Sequence, residues 1–98
     1  MKAEFHREAE QEFIEASVFY DWRVPGLGES FIAEVERAAE LLTQRPEIGQ
    51  RLDQVFRRMV LRRFPYLLIY SIEPEKIWIV AVAHQRRRPG YWRGRTDR

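Results

Sequence analysis

Near the C-terminal end, the run AVAHQRRRPGYW (Ala81 to Trp92) places His84 and three consecutive arginines, Arg86, Arg87 and Arg88, between an apolar stretch and a Pro-Gly turn closed by two aromatics. Guanidinium forks match phosphate or carboxylate oxygens in pairs. Tyr91 and Trp92 can stack on bases or fill a cleft in the core, core packing being the preferred reading for Trp92. His84 can exchange a proton near neutral pH, or simply hydrogen-bond a backbone group at a sheet edge. Metal-free RNA cleavage needs a group to take the 2′-hydroxyl proton, cations for the charged phosphorane and an acid for the leaving oxygen. Tyr91 or His84 with Arg58, Arg62, Arg86, Arg87 and Arg88 could supply these, and Arg93 extends the basic set. The same residues also describe plain binding of nucleic acid or of an acidic peptide.

Other chemistries have little support. The two histidines, His6 and His84, lie far apart without metal-ligand spacing, and there is no cysteine, which removes disulfides and thiolate sites. No Gly-rich phosphate loop or nucleophile elbow occurs, and no cofactor is expected. His6, just before a helix, reads as a loop residue without a role.

At 98 residues, 45% hydrophobic and 33% charged, the chain is expected to be a single globular domain spanning residues 1–98. No run of about 18 uncharged apolar residues is present, and the N-terminus lacks a leader's apolar region, so no membrane role and a cytoplasmic location are expected. The net charge of +2 conceals a polarity: residues 1–50 carry 5 basic and 11 acidic side chains, residues 51–98 carry 12 and 4. A −6 half and a +8 half imply that the second meets an anionic partner.

These side chains need elements to position them. KAEF is strand-like, and Ala9, Phe13, Ala16 and Tyr20 step at helical spacing until Pro25-Gly26 breaks the pattern. Phe31, Val35, Ala38 and Leu42 mark a second amphipathic helix, with Glu29, Glu34, Glu36 and Glu40 off the stripe. PEIGQRLDQ reads as a connecting loop. Three β segments follow, VFRRMVLRRF, YLLIYSI and IWIVAVA, separated at Phe64-Pro65-Tyr66 and at EPEK, connections short enough to make the pairs antiparallel. The predicted fold is α+β, a helical hairpin on one face of an antiparallel sheet in the order β-α-α-β-β-β. In the first basic strand Met59 and Leu61 are expected inward, turning Arg58 and Arg62 to the uncovered face unless a bulge near Pro65 reverses them.

That order, with FYDWRVPGLGESFIAEVERAAELLTQRPEIG, RRFPYLLIY and IWIVAVAHQRRRPGYW, resembles the RelE/ParE superfamily of bacterial type II toxin–antitoxin toxins, of the plasmid-stabilisation type. The likeness covers nearly the whole chain. It implies a growth-inhibiting toxin, a cognate antitoxin that wraps it with an acidic segment, and one of two actions: ribosome-dependent mRNA endonuclease or DNA gyrase inhibitor. A non-toxic nucleic-acid- or protein-binding module of the same fold is the alternative. Against the nuclease branch, Arg58 matches the first basic position of its strand, Val60 stands at the second, Leu67 replaces the arginine after the Phe-Pro-Tyr tyrosine, and Gln85 replaces another. Arg86 and Arg87 lie close to that last gap, and Tyr91 matches the terminal tyrosine.

Overall fold

The computed structural model describes residues 1–95. Strand β1 (Lys2–Phe5) leads into helix α1 (Arg7–Arg23), whose first turn is capped by His6: its Nδ1 accepts a hydrogen bond from the Glu8 N–H at 3.0 Å. His6 is buried, edge-on to Trp78, so the residue given no role from sequence is the N-cap of α1. After Val24-Pro25, Gly26 adopts φ +89°, a left-handed conformation that glycine takes without strain, and α2 (Leu27–Gln44) begins. The Asp21 carboxylate accepts from the Gly26 and Gly28 N–H groups, which lie at the open end of α2. Gly28 is needed for packing: a Cβ there would collide with the Ser17 carbonyl of α1.

The segment read as a loop contains a 3₁₀ turn (Pro46–Ile48) and a two-residue strand β2 (Gln50–Arg51). Strands β3 (Phe56–Val60), β4 (Tyr66–Glu73) and β5 (Lys76–His84) follow; β4 and β5 part at the Glu73–Lys76 turn as the sequence predicts, whereas the first break spans residues 61–65 and so begins before Phe64-Pro65-Tyr66. The sheet order is β1-β5-β4-β3-β2. Its β2 to β5 portion is antiparallel, and β1 joins β5 in parallel, both helices and three further strands lying between the two in the chain.

Apolar side chains lie on both faces of the sheet. Against the helices, Ala9, Ala16, Phe31, Val35, Ala38 and Leu42 pack on Leu68, Tyr70, Ile77, Ile79 and Val82. On the other face, Ile69, Trp78, Val80, Ala81 and Ala83 are covered by Trp92 with Phe56 and Tyr91. This second layer explains why β5 is apolar at both parities. Within it Trp92 meets Phe56 edge-on at 4.8 Å, the core role preferred for it.

Two expectations about the basic strand divide. Met59 and Leu61 do face the helix-side core, and Arg58 takes the other face. Arg62 does not accompany it, because β3 ends at Val60 and residues 61–65 form a turn held from α2. The Glu34 carboxylate accepts from the Arg62 and Arg63 N–H groups at 2.7 and 3.0 Å. Glu34, assigned to the polar side of its helix, is consequently buried. The only register shift between β4 and β5 lies at Ile69/Tyr70, not beside Pro65.

Candidate functional site

The site is built around the last turn of β5. Ile69 pairs with Ala81 and Tyr70 with Ile79, so Val80 is an extra residue, and the bulge reverses the parity of everything after it. Ile77 and Ile79 face the helices, Val80 and Ala81 both face away, and Val82 faces the helices again. His84 therefore emerges beside Tyr66, ring centroids 5.1 Å apart. Without the bulge it would point into the opposite layer.

Because β1 stops opposite Ile79, the edge of β5 beyond it has no strand partner among the described residues. A partly buried ion pair takes that place. Glu12 Oε1 accepts from the Val82 N–H at 2.9 Å, and Arg95 Nη1 donates to the Val80 carbonyl at 3.0 Å. The same two side chains bind each other: Arg95 Nη2 lies 2.7 Å from Glu12 Oε2 and Nη1 lies 3.0 Å from Oε1. This carboxylate raises the Arg95 value above its ordinary one, the hydrogen bond outweighing burial. Glu12 and Arg95 thus finish the sheet edge and tie the C-terminal segment to α1.

Arg58, His84, Arg87, Arg88, Tyr91 and Arg93 line one cleft of about 190 Å³, with an apolar floor of Leu67, Ile69, Ala83 and Trp92. Arg58 Nε donates to the Gln50 side chain at 2.9 Å, and Arg93 is paired with Asp53 at 2.8 Å. Asp53 is held well below the usual carboxylate range, at about 2, by the Phe56 N–H first, then by Arg93 and the Val55 N–H. Arg87 lies 3.8 Å over the Tyr91 ring. Arg86 is exposed and outside the cleft, and Arg62 lies across the molecule in a groove against α2.

The two proposed proton carriers are both engaged. Tyr91 Oη donates to Glu12 Oε2 at 2.7 Å, and burial, reinforced by that carboxylate, pushes its phenol far above the ordinary tyrosine value. A phenol held this way keeps its proton, so the geometry opposes Tyr91 as a base. His84 Nδ1 accepts the Arg86 N–H at 3.0 Å, the backbone role weighed for it. In the neutral ring this leaves the proton on Nε2, making the open side a donor. Among the described residues, no three His, Asp or Glu side chains converge as metal ligands, and no helix is long and apolar enough to cross a membrane.

The family model for the ParE toxin of the type II toxin–antitoxin system, parDE, matches residues 3–89. The chain belongs to the ParE toxin family. The ParE match ends before Tyr91, so the segment that closes the cleft lies beyond it. Among solved structures the chain is similar to a chromosomal ParDE toxin–antitoxin system from P. aeruginosa, with TM-score 0.75 and 16% identity, covering 86% of this chain and 95% of that one. At that identity the likeness concerns the fold. Comparison with curated protein sequences finds no match.

Glu12, Asp53 and Arg95 organise the site, and sequence reasoning missed all three. Only Glu12 leaves a trace: it adjoins Phe13 and lies one turn from both Ala9 and Ala16 of the inward stripe, a position where a carboxylate needs a partner.

Proposed function

We propose that the chain is the growth-inhibiting toxin of a type II module, neutralised by its cognate antitoxin, and that it arrests growth by binding DNA gyrase rather than by cutting messenger RNA. The observation that carries this reading is the occupied phenol of Tyr91: among the described residues that line the cleft, the two candidate proton carriers, Tyr91 and His84, are already engaged in hydrogen bonds. An RNase without metal needs such a group, since cations alone stabilise the phosphorane without generating the nucleophile. Val60 and Leu67 further replace two cations that the nuclease branch would use. The arginine rim instead suits the carboxylates of an acidic antitoxin segment.

The test is induction without antitoxin, with transcript 5′-end mapping and a supercoiling assay on the purified protein. Growth arrest with intact transcripts and inhibited supercoiling is expected. Transcripts cut at defined positions, with normal supercoiling at saturating toxin, would overturn the reading in favour of the endonuclease.

A further inference from the structure

Helix α1 is apolar on two opposite sides and only one is covered. Ala9, Phe13, Ala16 and Tyr20 face the core, whereas Ile14, Val18 and Trp22, four residues apart, form a second stripe along the solvent side. Their fractional exposures are 54%, 61% and 86%. Beside the stripe a groove of about 370 Å³ runs between the helices, lined by Ser17, Val18, Asp21, Trp22, Gly28 and Ile32. An exposed tryptophan aligned with two β-branched residues over a groove is the composition of a protein-binding anchor, not of an ordinary solvated helix face.

Charge selects the occupant. Residues 7–45 carry nine carboxylates against four arginines, a net −5. Glu10, Glu15, Asp21 and Glu29 flank the stripe or groove. Of the cations on α1, Arg7 lies two turns before Ile14 and Arg23 is drawn over the Phe19 ring. A second copy docking by the same face would bring two acidic rims together. An acidic segment complementary to the arginine cleft would also be repelled here. The matching partner presents an apolar pocket rimmed by lysine or arginine.

We propose that the Ile14-Val18-Trp22 face grips the toxin's cellular protein target, while the arginine cleft is left to the antitoxin. This rests on the reading of the chain as a protein-binding toxin. It assigns opposite surfaces of the −6/+8 chain to two partners of opposite charge, with Trp22 as the anchor.

The experiment compares wild type with Trp22→Glu, Val18→Glu and Trp22→Phe for growth arrest without antitoxin, co-purification with co-expressed antitoxin, mass in solution and thermal melting. Both glutamate variants should lose growth arrest, reflecting a target affinity lower by roughly 30-fold or more, while Trp22→Phe keeps most of it. Antitoxin co-purification, mass and melting should match wild type, since the substituted positions are exposed. Full arrest by Trp22→Glu overturns the inference. Arrest retained with antitoxin binding lost identifies the antitoxin as occupant, and a changed mass identifies a second copy, each also overturning it. A wild-type chain that arrests nothing overturns the toxin reading itself.

Discussion

Replacing Glu12 by alanine tests the physical account of the site most directly. The Glu12 carboxylate accepts from Val82 N–H, Tyr91 Oη and two nitrogens of Arg95. Its side chain is 15% exposed and that of Arg95 11%, so water cannot readily replace what the substitution removes. Loss of one partner from a buried, hydrogen-bonded pair costs about 3–5 kcal/mol, because the other charge is left without compensation. For a domain of this size that is on the order of 12–25 °C in Tm, and a large part of a typical total of about 5–15 kcal/mol. Tyr91→Phe removes a single hydrogen bond to the carboxylate and should cost about 1.5–3 kcal/mol. The double variant Glu12→Leu/Arg95→Leu removes both charges and should be clearly more stable than the two single losses added together. Urea unfolding followed by tryptophan fluorescence measures wild type, these variants and the single variants Glu12→Leu and Arg95→Leu that complete the cycle, Trp92 reporting on the tied segment. If Glu12→Ala falls within about 1 kcal/mol of wild type, or the double variant equals the sum, the claim that this pair completes the sheet edge is wrong.

Tyr91→Phe should leave growth arrest intact once expression is matched to a folded level, and a folded variant without toxicity would restore Tyr91 as a catalytic residue. Gly28→Ala should destabilise by about 1–3 kcal/mol, since the added methyl meets the rigid Ser17 carbonyl; an unchanged unfolding midpoint would refute the close approach of the helices. Asp53 has a folded value depressed from 3.8 to about 2, so its contribution is complete above about pH 4 and is lost as pH falls toward 2. Carboxyl NMR titration checks this, and a midpoint near the ordinary aspartate value would contradict the Arg93 and backbone contacts. Glu34→Ala should speed amide exchange at Arg62 and Arg63 by at least about tenfold, with unchanged exchange there as the refuting result.

The helical stripes of α1 and α2, the Pro-Gly break and the two strand separations were legible in the chain because each is a local signal of period or backbone restriction. Arg58, Arg87, Arg88, Arg93, His84 and Tyr91 were named from residue type and do share a cleft. Arg62 was misplaced by continuing the alternation of β3 past Val60, where Glu34, 28 residues upstream, captures the backbone and turns it. Tyr91 was assigned proton chemistry from its type alone. Its actual state depends on Glu12, 79 residues away in sequence.

By itself the sequence determined the order of elements, the separation of an acidic helical half from a basic sheet half, and the crowding of arginine around the end of β5, since composition and periodicity act over a few residues. Tertiary structure decided which of those charges are free. The bulge at Val80 reversed the parity of β5, the early end of β1 exposed its edge, and Glu12 with Arg95 closed that edge while taking up the phenol of Tyr91. The partly buried carboxylate of Glu12 on α1 is settled by the donors that converge on it in space, and those come from β5 and the C-terminal segment.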